Sequence, residues 1–216
     1  MWTWKEYFDD CMRFAQSLHF LGVDIHGVVN VIGFNHPSWF IANNGTILAG
    51  GIAAGIYTTN TPEACLYVTQ HSKAQVLVLE DNKQLRKYAS CPNLAAELPG
   101  LKAIVMYGEA AEEALVAAVG VPVYTFESFL ALGESTSITD VQERTRQVKP
   151  GHCALLIYTS GTTGPPKGAM ISHDNLTFSA KNIMEVWYGC AIELKSGSQI
   201  SSTNSFSVLL TFHFTS

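Results

Sequence analysis

Charged side chains are scarce in this 216-residue sequence, and basic ones are scarcest. Charged residues make up 14% of the chain, with 13 Lys and Arg against 18 Asp and Glu, for a formal net charge of −5. No basic cluster is present, which argues against nucleic acid as a partner. The opening residues, MWTWKEYFDD, lack the basic start and apolar core of a signal peptide. We therefore expect a protein that is not secreted.

Long apolar runs and paired cysteines are also missing. No uninterrupted apolar stretch reaches the ~18–20 residues that cross a bilayer. Cysteines stand at positions 11, 65, 91, 153 and 190, and no two of them have CxxC spacing. We therefore expect free thiols in a reducing compartment. His152 adjoins Cys153, but no second His/Cys pair supports a metal, so we do not expect a zinc site.

Apolar residues are abundant, at 47% of the chain, and they occur in short runs. Six of these runs predict strands, at 28–34, 52–57, 75–80, 102–107, 121–125 and 153–158. Strands that are apolar almost throughout belong in a sheet that is covered on both faces. Helical segments between them indicate βαβ crossovers. The predicted fold class is therefore α/β, a mostly parallel sheet with flanking helices.

Helix signals lie between these strands. Apolar residues recur at helical spacing from Trp4 onward, and Gly22 can close that helix. Pro37 stands near the start of a second helix. Pro62 is the predicted first residue of a third helix, which either Asn60 or Thr61 caps.

The last third of the chain is less regular. Segment 133–152 is polar and predicts a surface excursion before the sixth strand. Residues 176–188 have helical spacing, with Ser172 or Asp174 as the cap. Residues 190–216 are rich in serine and end in the apolar run FSVLLTFHF, which predicts a tail unrelated to the α/β pattern.

The stretch LLIYTSGTTGPPKGAMISHDN, residues 155–175, carries the clearest chemical signal. It follows a predicted buried strand, and ligands of open α/β sheets collect at the carboxyl ends of strands. Glycines allow successive N–H groups to face one concavity, which binds anions. The hydroxyl, glycine, proline and lysine positions are Thr159, Ser160, Gly161, Thr162, Thr163, Gly164, Pro165, Pro166 and Lys167. This order predicts a polyphosphate site.

The common nucleotide loop has a different order, GxxxxGK[ST]. Here Gly161 and Gly164 precede Lys167, and Gly168 stands where Ser or Thr would bind magnesium. A plain P-loop NTPase is therefore disfavoured. A flexible Ser/Thr/Gly-rich surface loop is the alternative interpretation, but the buried strand just before it favours a ligand site.

YTSGTTGPPKG resembles the phosphate-loop signature of the AMP-forming adenylating enzymes, which include acyl-CoA synthetases, luciferases and peptide-synthetase adenylation domains. MISHDNL and the upstream GGIAAGIYTTNTPEACLYVTQHSKAQVLVLED also match that superfamily. VVNVIGFNHPSWFIANNGTILAGG and WKEYFDDCMRFAQSLHFLGV resemble the bubblegum-type long-chain acyl-CoA synthetases. The resemblance covers about residues 2–188 and is that of an N-terminal fragment.

The resemblance implies a long-chain fatty acid–CoA ligase that uses ATP and Mg²⁺, with CoA as co-substrate. Residues 159–167 would bind the β- and γ-phosphates of ATP and then pyrophosphate, where they stabilise developing charge. His173 has two open interpretations, a helix-start residue near the phosphates or a structural neighbour of the helix cap. No catalytic residue is assigned within this chain, because the resemblance places them downstream.

The resemblance also sets the remaining expectations. Residues 1–189 would form part of the AMP-binding domain, followed by the non-matching tail 190–216. Nucleotide and fatty acid are the expected partners, and the expected location is cytoplasmic, with peripheral contact with the endoplasmic reticulum or other membranes. Two alternatives stay open: a non-catalytic truncated isoform or interaction fragment, and an adenylating enzyme for another carboxylic acid.

Overall fold

The chain folds around a single seven-stranded sheet with helices on both faces. The computed structural model describes residues 3–159 and 165–193, with side chains up to residue 184. The strands are β1 (Val28–Ile32), β2 (Ile52–Ile56), β3 (Ala74–Leu79), β4 (Ala103–Met106), β5 (Val123–Thr125), β6 (Cys153–Thr159) and β7 (Lys167–Ser172). The helices are α1 (Trp4–Phe20), α2 (Pro37–Leu48), α3 (Pro62–Ser72), α4 (Asn82–Ala89), α5 (Leu94–Glu97), α6 (Glu113–Val119), α7 (Phe126–Leu132), α8 (Ile138–Gln147) and α9 (His173–Glu193).

The strand order is β5-β4-β3-β1-β2-β6-β7. The first six strands pair in parallel, which confirms the predicted mostly parallel α/β fold. All six predicted strands are present, each within two residues of its predicted limits. The seventh strand, β7, was not predicted, and it pairs with β6 in the antiparallel direction at the edge of the sheet.

Side chains that alternate along the strands divide the core into two layers. On β3, Leu77 and Leu79 face one layer, and Val76 and Val78 face the other. The first layer lies under α3, α4, α5 and α6, and the second under α1, α2, α7 and α8. Because both faces are covered, the strands are apolar almost throughout, as the sequence indicated.

The helix ends follow the predicted signals. Thr61 caps α3, and its hydroxyl accepts a hydrogen bond from the Ala64 amide. Gly22 has φ = 66° just after α1, a conformation that glycine adopts without steric cost. Ser172 rather than Asp174 caps α9, because its hydroxyl accepts from the Asn175 amide at 3.1 Å.

Segment 133–152 lies at the surface, as predicted, since most of its residues are exposed, but it also holds a helix that was not predicted. A short 3-10 turn (Gly133–Ser135) and helix α8 occupy most of this segment. Val141 is fully buried against the second core layer. The other buried residue of α8, Arg144, is polar, so the segment lacks the apolar period from which a helix is predicted.

Four of the five cysteines, Cys11, Cys65, Cys91 and Cys153, are free thiols, and the side chain of Cys190 lies outside the described set. No helix within the described ranges combines the length and hydropathy that a bilayer crossing requires. Helix α9 continues to Glu193 through the predicted boundary after residue 189, and residues 194–216 lie outside the described part, so the tail stays a prediction.

Candidate functional site

The described part of the predicted phosphate site lies where β6 ends and β7 begins. Thr159 is the last residue of β6 and Lys167 is the first residue of β7. The two are direct partners in the antiparallel ladder, and both are exposed. Side chains of directly opposed residues lie on the same face of a sheet. The strand pairing therefore brings a hydroxyl and an ammonium together at one edge.

The remaining predicted residues fall into two groups. Pro165 and Pro166 are described and lead directly into β7. Ser160, Gly161, Thr162, Thr163 and Gly164 lie outside the described residues. Their contacts with phosphate stay predictions.

Tyr158, the second-last residue of β6, is buried and contacts α3. The residue is 5% exposed, and its hydroxyl lies 2.9 Å from Nδ1 of His71 on α3. Burial raises the pKa of Tyr158, and the neighbouring Ser72 hydroxyl opposes that rise. The phenol is therefore neutral at physiological pH and serves as a hydrogen-bonding anchor.

The residue just before β7 also contacts helix α3. The hydroxyl of Tyr67 donates a hydrogen bond to the carbonyl oxygen of Pro166 at 3.3 Å. The rings of Tyr67 and His71 stack with centroids 5.7 Å apart, as expected for residues spaced i and i+4 on a helix. Tyr67 and His71 were not predicted as site residues. The only available signal was the i, i+4 spacing of two aromatic rings on the helix that begins at Pro62.

His173 lies apart from the Thr159–Lys167 pair. It opens α9 at the other end of β7, six residue steps or about 20 Å of extended strand from Lys167. Its amide donates to the carbonyl oxygen of His152, whose ring packs edge-on against His26. Burial lowers the pKa of His173, and the neighbouring His152 and His26 lower it further.

The donor set at the strand ends suits an anion rather than a cation. A hydroxyl and an ammonium donate hydrogen bonds to phosphate oxygens, whereas Mg²⁺ needs oxygen ligands such as carboxylates. Over residues 3–159 and 165–184, whose side chains the structure describes, no three His, Cys, Asp or Glu side chains come together in a way that could hold a metal ion. No described residue is therefore assigned to Mg²⁺.

Solved structures share this architecture. The chain superposes on an anthranilate CoA ligase in complex with anthranoyl-AMP with a TM-score of 0.66 at 24% identity, over 82% of this chain and 31% of that one. It also superposes on the A-PCP didomain of a carboxylic acid reductase from Segniliparus rugosus, in complex with AMP, with a TM-score of 0.65 at 20% identity, over 84% of this chain and 27% of that one. At these identities, the similarity confirms the fold of the N-terminal part of adenylate-forming enzymes.

Sequence comparison gives closer relatives. The chain is 45% identical over 179 residues to the long-chain-fatty-acid–CoA ligase ACSBG2 of Gallus gallus, covering 82% of this chain and 22% of that protein. It is 41% identical over 178 residues to the human ACSBG2, covering 82% of this chain and 26% of that protein. It is 37% identical over 179 residues to ACSBG1 of Mus musculus, covering 83% of this chain and 24% of that protein.

These matches confirm the predicted resemblance to bubblegum-type ligases, and the chain spans about a quarter of the length of these relatives. The profile of the family described as AMP-binding enzyme matches residues 1–215. From the fold, the phosphate-loop sequence and this match, we conclude that the chain belongs to the AMP-binding enzyme family.

Proposed function

We propose that this chain is the nucleotide-phosphate-binding portion of a long-chain fatty acid–CoA ligase. In the proposed reaction the fatty acid carboxylate attacks the α-phosphorus of ATP, which releases pyrophosphate and forms an acyl-adenylate. The thiol of CoA then displaces AMP to give the thioester. The observation that carries the proposal is the pairing of Thr159 with Lys167 at the strand ends, within a chain 37–45% identical to long-chain ligases.

The proposed role of the pair is electrostatic. Negative charge develops on the leaving pyrophosphate, and preorganised donors stabilise charge that develops in the transition state. Lys167 is exposed at the strand end, and none of the ion pairs among the described residues involves it, so its ammonium is available to a ligand. Hydrogen bonds to charged groups contribute about 1.5–3 kcal/mol each. Ser160 to Gly164 would add the backbone amides that the loop sequence predicts.

The choice of acid rests on sequence similarity rather than on the fold. The anthranilate ligase and the carboxylic acid reductase share the architecture at 20–24% identity, so the fold accommodates different acids. The relatives at 37–45% identity are long-chain-fatty-acid ligases. We therefore propose a long-chain fatty acid, ATP and CoA as substrates, with Mg²⁺ accompanying ATP. The cytoplasmic location and the peripheral membrane contact stay predictions.

Pyrophosphate binding tests the phosphate role without requiring the whole reaction. Calorimetric titration of the 216-residue chain with magnesium pyrophosphate should show binding. Lys167→Ala should raise the Kd about 10-fold, near the low end for a charged hydrogen bond because the strand end is exposed. Lys181→Ala, at an exposed position on α9, is the matched control and should leave the Kd unchanged.

Equal Kd values for the two lysine variants would remove Lys167 from the proposed role.

A second assay addresses the complete reaction. Because the chain spans about a quarter of its relatives, we propose that it forms no palmitoyl-CoA from palmitate, ATP and CoA by itself. Sustained thioester formation by this chain would refute that part of the proposal.

A further inference from the structure

One helix holds both strands that carry the candidate site. Helix α3 contacts the end of β6 through His71 and Tyr158, at 2.9 Å. It contacts the entry to β7 through the Tyr67 hydroxyl and the Pro166 carbonyl, at 3.3 Å. Tyr158 and Pro166 each lie one residue before a member of the Thr159–Lys167 pair. The contacts of α3 are therefore directly adjacent to that pair.

Successive side chains of a strand point to opposite faces of the sheet. Tyr158 points toward α3, so Thr159 points away from α3. Gly168 is the ladder partner of Tyr158, and Lys167 is the partner of Thr159. Helix α3 thus lies on one face of the strand ends while the two polar side chains lie on the other. It can fix their separation without occupying the space that a ligand would take.

Tyr67 and His71 make further contacts of their own. His71 stacks on Tyr67 and meets the ring of Tyr158 edge-on, with both centroid distances 5.7 Å. Next along α3, the Ser72 hydroxyl donates to Oδ1 of Asn30 at 3.2 Å. Asn30 is fully buried in the central strand β1. A continuous set of contacts therefore joins the strand ends to the middle of the sheet.

We propose that Tyr67 and His71 are positioning residues that hold Thr159 and Lys167 at the separation required by phosphate oxygens. This inference rests on the proposed function of that pair. Donors fixed before the ligand arrives do not have to be ordered when it binds, so rigid support raises affinity. Neither residue touches the phosphates. Tyr67 acts through the Pro166 carbonyl group, and His71 acts through the Tyr158 side chain.

Variants of α3 and a matched control test the proposal. Tyr67→Phe removes one hydroxyl and keeps the ring stack. His71→Leu removes the hydrogen bond to Tyr158, whereas His71→Asn keeps a polar atom close to the position of Nδ1 and serves as the conservative variant. Tyr57→Phe is the matched control, because the side chain of Tyr57 is 64% exposed. For each variant, amide hydrogen exchange of the free chain and the Kd for magnesium pyrophosphate are measured.

Tyr67→Phe and His71→Leu should each accelerate amide exchange at Thr159 and Lys167 about 5-fold and raise the Kd by about the same factor, as expected for one hydrogen bond. His71→Asn should restore most of the loss, and Tyr57→Phe should match the unchanged chain. Combining His71→Leu with Tyr158→Phe should add little to either single change, since the two residues share one contact.

A merely structural role would accelerate exchange across the whole sheet, including β3 and β4, and that result would overturn the proposal. Unchanged exchange at Thr159 and Lys167 would overturn it as well. If the unchanged chain binds no pyrophosphate, the proposed function fails. The exchange rates of the free chain would then still support or refute the anchoring of the strand ends by α3.

Discussion

At the scale of single residues, the contact between Tyr158 and Gly168 shows how tightly the strand ends are packed. A Cβ atom at position 168 would lie 3.2 Å from Cζ of Tyr158. The Tyr158 ring is nearly buried and hydrogen-bonded to His71, so it has little room to move away. Only glycine fits beneath this ring without displacing it.

We therefore expect Gly168→Ala to destabilise the chain by about 1–3 kcal/mol, the usual cost of an added methyl group in a packed site. Urea unfolding monitored by fluorescence measures this difference. Gly151→Ala is the control, because a Cβ there would meet nothing within 4 Å. Equal stabilities for the two variants would show that the Tyr158 ring is free to shift.

His173 gives a second residue-scale prediction, on pH. Burial and the neighbouring His152 and His26 lower its pKa below the 6.5 of an exposed histidine. As the pH falls through about 6.5, the unfolded chain takes up a proton that folded His173 does not, so stability decreases. At higher pH the residue is neutral in both states and has no effect.

The stability of the chain should therefore fall between about pH 7.5 and pH 5.5, and His173→Gln should reduce this fall. The two proteins are compared by urea unfolding at each pH. An identical loss of stability in both would assign the pH dependence to other groups.

At the scale of elements, α8 links parts of the chain that are distant in sequence. The Arg144 guanidinium donates to the Val23 carbonyl oxygen at 2.7 Å, just beyond α1. Thr145 donates to the Leu48 carbonyl oxygen at 2.6 Å, at the end of α2. Burial lowers the pKa of Arg144. Helix α8 therefore donates hydrogen bonds to carbonyl groups near the ends of helices α1 and α2.

We expect Val141→Asp to detach α8 and to destabilise the chain by about 3 kcal/mol or more, because the substitution buries a carboxylate without a partner. Ile138→Asp, on the same helix at a position 52% exposed, should be nearly neutral. Urea unfolding and limited proteolysis between α7 and β6 measure both effects. Similar cleavage of the two variants would contradict the packing of α8.

The sequence predicted the first six strands but neither strand β7 nor helix α8. Strands β1, β3 and β4 are buried almost throughout and β2, β5 and β6 in part, and each of the six is a recognisable apolar run. Strand β7 lies at the edge, holds Lys167 and Gly168, and has only one β-branched residue, Ile171, so its pattern was weak. Helix α8 was missed because polar Arg144 and Thr145 occupy two of its inward positions.

At the scale of the whole molecule, the candidate site combines residues from distant parts of the chain. Thr159 and Lys167 were predicted from a local signature. The support from α3 was not predicted, because Tyr67 lies 99 residues from Pro166 and His71 lies 87 residues from Tyr158. Local sequence patterns carry no information about such pairs. They follow from packing α3 over the β6–β7 edge.

The central claim is that the strand ends around Thr159 and Lys167 bind the phosphates of a nucleotide. Hydrogen exchange of the 216-residue chain, with and without magnesium ATP, tests it most directly. We predict slower exchange at Thr159 and at the amides of Lys167 and Gly168 when magnesium ATP or pyrophosphate is added. Adenosine, which lacks phosphates, should have no effect there. Unchanged exchange at these amides with saturating magnesium ATP, or equal protection by adenosine, would contradict the account.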